Sequence, residues 1–141
     1  MRNAYPHRNL YTRLKACANG VGVFAIRDIP AGMRLFKGDF GATVRVRRAV
    51  VDRIADAELR RIYFDFCPSV DDVFIAPADF NHLTMEWYLN HSVNPNVIAD
   101  HKMRFFARRS IAAGEELTTD YASFSDHSPT LISQWNSDAG T

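Results

Sequence analysis

The chain has little cysteine: Cys17 and Cys67 stand far apart, outside any CxxC pattern. A disulfide framework and a thiolate-built zinc site therefore have nothing to rest on, and a reducing compartment is expected, the cytoplasm or, for a eukaryotic source, the nucleus. Long apolar runs are missing too. No window reaches the roughly eighteen apolar residues of a membrane span, and the opening MRNAYPHRNLYTRL alternates polar with aromatic residues instead of carrying a leader's apolar stretch, so no membrane association is expected. An excess of one charge is also lacking. Seventeen basic against sixteen acidic residues leave a formal net charge of +1, which gives no footprint for direct nucleic-acid binding. The arginines Arg45, Arg47, Arg48, Arg53, Arg60 and Arg61 alternate with Asp52, Asp56 and Glu58, a pattern that predicts a solvated helix face. The five histidines, His7, His82, His91, His101 and His127, show no i, i+3 or i, i+4 pair, which argues against a metal site. No G-x-S-x-G elbow supports nucleophilic hydrolysis, and no repeat, linker or low-complexity block divides the 141 residues.

What is present is an ordinary globular composition, 47 % hydrophobic and 23 % charged, sufficient for one domain over residues 1–141 that buries roughly two thirds of its unfolded surface. Short β-like runs bounded by glycine and proline fill the first forty residues: GVGVFAI, a break at DIPAG, then MRLF and a further break at Gly38. From Val50 to about Phe64 the spacing becomes helical, with Val51, Ile54, Ala55, Leu59 and Ile62 on one face. VFIA, MRFFARRSI and LTTDY read as later strands, and Thr84 is placed to cap a helical turn reaching Leu89. The expectation is a mainly β domain with minor helices.

Three segments carry chemical interest. GVGVFA satisfies the dinucleotide-binding pattern, but Pro30 and Gly32 follow where that motif needs a helix, so its glycines serve a strand bend or a ligand's approach to the backbone. NHSVNPNV, residues 90–97, packs asparagines, His91 and Pro95 into a few positions, which a surface turn would explain cheaply. Taken singly, His91 reads as a hydrogen-bonding scaffold residue and Tyr121, after LTTD, as a core aromatic.

In the order GVGVFAI…IPAG, NHSVNPN, AGEELTTDY, these segments over about residues 18–125 resemble the SET-domain protein-lysine N-methyltransferases. The resemblance implies a β-clip fold of small sheets with a C-terminal pseudoknot and one or two short helices. It implies S-adenosylmethionine as cofactor, held by backbone groups around Val21, Gly22 and Val23, with Asn90 on the methionyl amino group, the His91 backbone on the adenine and Tyr88 packed alongside. Tyr121 is implied as the catalytic tyrosine. The implied partner is a protein substrate presenting a lysine, a histone or other basic protein among the candidates; a homodimer is left open.

This chain departs from the pattern in several places. Val93 stands where many relatives have cysteine, and the cysteine-rich, zinc-binding tail is missing. In its place, residues 126–141 are read as a candidate lid, with Leu131, Ile132 and Trp135 closing on the cofactor side. Thr119, two before Tyr121, occupies a position often aromatic in enzymes that set methylation number. Gly38 and Phe40 leave the tyrosine wall of the lysine channel unassigned, and Trp87 replaces a frequent arginine. The competing reading is a SET-like protein-binding module without catalysis.

Overall fold

The computed structural model describes residues 6–37 and 42–126. Strands β1 (Thr12–Cys17) and β2 (Gly20–Ala25) form an antiparallel hairpin from Thr12↔Ala25 to Cys17↔Gly20. Ala18 and Asn19 make the turn, and Gly20 leaves it at φ +102°, a conformation that suits a residue without Cβ. After β3 (Arg34–Leu35), a three-stranded antiparallel sheet is inserted, with β4 (Thr43–Arg47) on one edge of β6 (Val73–Pro77) and β5 (Ser69–Val70) on the other. The chain returns through β7 (Asn90–His91), β8 (Val97–Ala99), β9 (Phe105–Ala107) and β10 (Glu116–Thr119) to complete a seven-stranded sheet ordered β1-β2-β10-β8-β9-β3, with β7 also on β10.

The helical expectation is corrected. Instead of one helix from Val50 to Phe64 there are two, α1 (Arg48–Val51) and α2 (Ala57–Phe66). Asp56 causes the break: its extended backbone ends the intervening turn, and its side chain accepts the Glu58 and Leu59 N–H groups at 3.0 and 3.1 Å, which starts a fresh helix. The predicted apolar face holds only in its first part: Val51 and Ile54 join the core of the inserted unit, whereas Leu59 and Ile62 are exposed and Tyr63, Phe64 and Phe66 face the small sheet instead. There Phe74 is fully buried beneath the rings of Tyr63 and Phe64, at centroid distances of 5.9 and 5.1 Å, and burial pushes the Cys67 thiol up to about 12. The arginines are corrected as well: Arg45 and Arg47 project from β4, not from a helix. Thr84 precedes a 3-10 turn, Met85–Tyr88, without capping it; its hydroxyl goes to the Glu86 carboxylate.

The main core gathers Val23, Ile29, Leu35, Val97, Ile111 and Leu117, drawn from both ends of the described chain. What joins those ends is β10. On one edge it pairs antiparallel with β2, at Glu116↔Phe24 and Leu117↔Val23; on the other it runs parallel to β7 and β8, at Thr118↔Asn90, Thr119↔His91 and Thr119↔Val97. Between β7 and β8 the 92–96 turn clasps the strand. Ser92 N–H donates to the Thr119 carbonyl, and the Asn96 carboxamide donates to the Glu116 carbonyl at 2.7 Å while accepting from Thr118 N–H at 2.8 Å. No helix of the described residues is long and apolar enough to cross a membrane.

Asn96 is nearly inaccessible to solvent, so Asn96→Ala strands a backbone donor and a backbone acceptor together. Urea denaturation is expected to show a loss of about 1–3 kcal/mol. Unchanged stability would mean that strand pairing alone retains β10.

Candidate active site

The β10 ladder on β2 stops at Val23, leaving Val21 and Gly22 beyond its reach. Asn90 fills the gap. Its side-chain nitrogen donates to the Val21 carbonyl at 3.2 Å and to the Glu116 carboxylate at 2.8 Å, and lies 3.7 Å from the Cys17 sulfur. A Cβ on Gly22 would overlap the Glu116 carboxylate and come within 3.1 Å of Asn90 Nδ2 and 3.2 Å of Cys17 Sγ. Gly22 thus leaves room for this polar cluster, since a methyl there would have to displace the Glu116 carboxylate. Glu116 and Cys17 are members that sequence reasoning missed. The available signal for Glu116 was its place in GEELTTDY, at the start of the strand that ends beside Tyr121.

One residue before Asn90, the Leu89 carbonyl accepts a hydrogen bond from the Tyr121 hydroxyl. One residue after it, His91 Nδ1 accepts the Tyr121 backbone N–H at 3.1 Å. A backbone amide can only donate, so Nδ1 carries no proton and the ring's N–H lies at Nε2. Tyr121 is thus held at main chain and side chain by the residues flanking Asn90. It is buried, and burial with the nearby Glu116 charge pushes its phenol well above the ordinary value, so the hydroxyl stays protonated. Because that O–H is committed to Leu89, the phenolic oxygen is left with acceptor capacity toward whatever lies beside it.

Beside it is a cleft of about 400 Å³ between the main sheet and the inserted one. Phe36, Trp87, Phe105 and Phe124 give it an aromatic lining, with Thr119 and Tyr121 at its side. Phe124 packs edge-on against both Tyr121 and Phe105, at 5.9 and 6.1 Å, and Trp87 stacks on Phe66 at 5.5 Å. Phe36 is held at φ +56°, uncommon for a bulky residue, and meets the Phe105 ring edge-on at 6.0 Å. Phe36 lines the cleft; Gly38 and Phe40, near which the sequence left the channel wall unassigned, lie outside the described residues. Thr119 is fully buried and its hydroxyl has no hydrogen-bond partner among the described residues.

Of the residues singled out from the sequence, Val21, Gly22 and Asn90 meet in the polar cluster, and His91 and Tyr121 meet beside it. The cleft takes in Tyr121 and Leu89 but not Val21, Gly22, Asn90 or His91, so the polar cluster and the cleft are neighbouring sites joined by the adjacent residues Leu89 and Asn90. Val23 is wholly buried in the core, and Tyr88 packs against that core without lining the cleft. Leu131, Ile132 and Trp135 lie outside the described residues. Among the described residues no three His, Cys, Asp or Glu side chains converge as metal ligands.

Gly22→Ala tests the polar cluster directly. The intruding methyl must push Glu116 and Asn90 apart, with an expected stability loss of about 1–3 kcal/mol in denaturant titration. Wild-type stability would show that the carboxylate swings aside freely.

Comparison with known proteins places this geometry. A profile described as SET domain matches residues 20–122. A curated relative, a "Histone-lysine N-methyltransferase, H3 lysine-36 specific" from Candida albicans, is 30 % identical over 112 residues, covering 72 % of this chain and 13 % of its own length. Among solved structures, a humanized mutant of the Chaetomium thermophilum Polycomb Repressive Complex 2 bound to the inhibitor GSK126 aligns with TM-score 0.53 and 26 % identity, over 82 % of this chain and 14 % of that one. An autoinhibited form of ctPRC2 bound to S-adenosylmethionine aligns with TM-score 0.57 over 92 % of this chain and 17 % of that one; at 20 % identity it speaks to the fold alone. The chain thus spans a small fraction of each of these proteins. With the profile covering most of its length, the chain belongs to the SET-domain family.

Proposed function

We propose that the protein is an S-adenosylmethionine-dependent protein-lysine N-methyltransferase, with the target lysine entering the aromatic cleft and the cofactor held at the Asn90 cluster. The observation that carries the reading is the tethering of Tyr121 to Leu89 and His91, which sets a protonated phenol at the cleft directly beside Asn90. The cluster fits the cofactor chemically. The Val21 carbonyl, the Asn90 carboxamide and the Glu116 carboxylate are acceptors suited to a cationic amino group, and the main-chain edge at Val21–Gly22 lies beyond the β10 ladder. S-adenosylmethionine, when bound, supplies a methyl group on a positively charged sulfur, and the histone-lysine N-methyltransferase activity of the Candida relative supports that choice.

The chain's own residues then have an orienting task. The substrate amine must be neutral, with its lone pair directed at the methyl carbon, and the proton displaced on N-methylation goes to water. Tyr121 gives its hydrogen to Leu89 and accepts an amine N–H, which turns the lone pair away from the phenol. Phe36, Trp87, Phe105 and Phe124 exclude water from the amine's stem, which favours the uncharged form.

Tyr121→Phe is expected to leave cofactor affinity little changed while depressing turnover by about a hundredfold, since the lost group orients the reacting amine. Asn90→Ala should act in the other way, weakening S-adenosylmethionine binding in calorimetry by about 1–3 kcal/mol. Substrates for these assays come from incubating the protein with methyl-labelled cofactor and fractionated lysate, then mapping the labelled residue. Full activity of Tyr121→Phe on a mapped lysine would remove the assigned role, and cofactor binding without any methyl transfer would favour the non-catalytic binding module.

The pH profile follows from the phenol. A raised pKa keeps Tyr121 neutral through its ordinary value of 10, so the rate should climb as the bound amine loses its proton and then hold a plateau. A descending limb below pH 10 that disappears in Tyr121→Phe would show the phenol ionising in the working range.

A further inference from the structure

Cations from separate elements converge on the cleft. Arg34 comes from β3, Arg45 from β4 and Lys102 from the β8–β9 turn, joined by Arg104, while among the described residues Glu86 is the one acidic side chain lining the same space. The chain as a whole is close to neutral, so this is a local concentration. Arg104 is matched by Asp100 at 2.6 Å, but Arg34, Arg45 and Lys102 have no carboxylate within 4.0 Å among the described residues. Arg34 Nε is buried without a hydrogen-bond partner among those residues, an unmet donor in the wall. The Glu86 carboxyl is pushed up by burial, against the hydrogen bond it takes from Thr84.

We propose that the cleft selects a lysine flanked by acidic residues, whose carboxylates pair with Arg34, Arg45 and Lys102 while the lysine stem passes between the aromatic rings to Tyr121. This rests on the methyltransferase reading and names its substrate class. Arg45 and Lys102 are exposed at the rim, where charge steers and discriminates partners more than it adds raw affinity. A peptide with arginine or lysine beside its target brings like charge to the same rim. The cations also disfavour a protonated amine at the floor, so one arrangement serves both selection and reactivity. An acidic peptide fits better than a nucleic acid, because the cations rim an aromatic cleft with a buried phenol, not an open basic stripe.

The test uses the full chain and three fluorescent lysine-centred peptides, flanked by Asp and Glu, by Ala and Ser, or by Lys and Arg. Anisotropy reads binding at low and high salt; methyl-labelled S-adenosylmethionine reads transfer in parallel. The acid-flanked peptide is expected to bind at least about tenfold more tightly than the basic one, a gap that narrows as salt screens the rim. Arg45→Glu combined with Lys102→Glu should erase the preference with an unchanged thermal melt. Equal binding, a preference for basic flanks, no peptide binding at all, or equal competition by an oligonucleotide would overturn the inference. Faster transfer to the basic peptide would do so while leaving the methyltransferase standing. Selective binding of the acid-flanked peptide with no transfer to any peptide would instead sink the methyltransferase reading and leave the charge preference.

Discussion

Strand β10 is the member on which the site depends, and side chains of the 90–97 segment hold it there. Its sequence neighbours alone could not place it, because its partners lie at opposite ends of the described chain: β2 on one edge, β7 and β8 on the other. The Asn96 carboxamide answers both a carbonyl and an amide of β10, and Ser92 N–H answers a third group, so the strand cannot slip by a residue without breaking them all. Register then fixes chemistry. With Glu116 opposite Phe24, its carboxylate meets Asn90 under Gly22; with Thr119 opposite His91, Tyr121 emerges where the His91 ring and the Leu89 carbonyl wait for it.

That dependence explains which parts of the molecule were legible in the sequence. Strands bounded by Gly20, Gly32 and Gly114 could be read because positive-φ glycines punctuate them locally. NHSVNPN and ELTTDY were legible as a pair only through their resemblance to the SET-domain family, and the structure joins them through Asn90, His91 and Asn96. The inserted segment was not legible in the same way. Its apolar periodicity from Val51 to Ile62 is helical, but the Asp56 cap outweighs periodicity, and the aromatic residues Tyr63, Phe64 and Phe66 supply more buried surface than Leu59 or Ile62 could. Glu116 and Cys17 escaped notice because a lone carboxylate and a lone thiol have no spacing signature; only the sheet register brings them to Asn90.

The same limit applied to charge. Read along the chain, Arg45 belonged to a run of mixed sign and so to a solvated helix. In the fold it leaves β4 pointing to a cleft whose other cations come from β3 and from the β8–β9 turn. Charge balance in sequence says nothing about charge balance in a cavity, since acids adjacent in sequence can be turned to solvent or spent on local bonds, as Asp56 is on the α2 amides and Asp100 is on Arg104.

Two residues that replace more usual ones can be understood from their neighbours. Trp87 stacks nearly parallel on Phe66, with 15° between the planes, and so links the inserted unit to the 3-10 turn that delivers Leu89 and Asn90. An arginine there would bring a further cation to the cleft; the indole brings a rigid apolar contact between the two sheets. Thr119 has a different consequence. Where a ring would fill the space beside Tyr121, this chain has a small, fully buried side chain whose hydroxyl has no hydrogen-bond partner among the described residues. The phenol can only accept there, its hydrogen being held by Leu89, whereas a threonine hydroxyl can donate or accept. On the proposed methyltransferase reading, the amine would meet the phenol as one fixed acceptor, which constrains its lone pair.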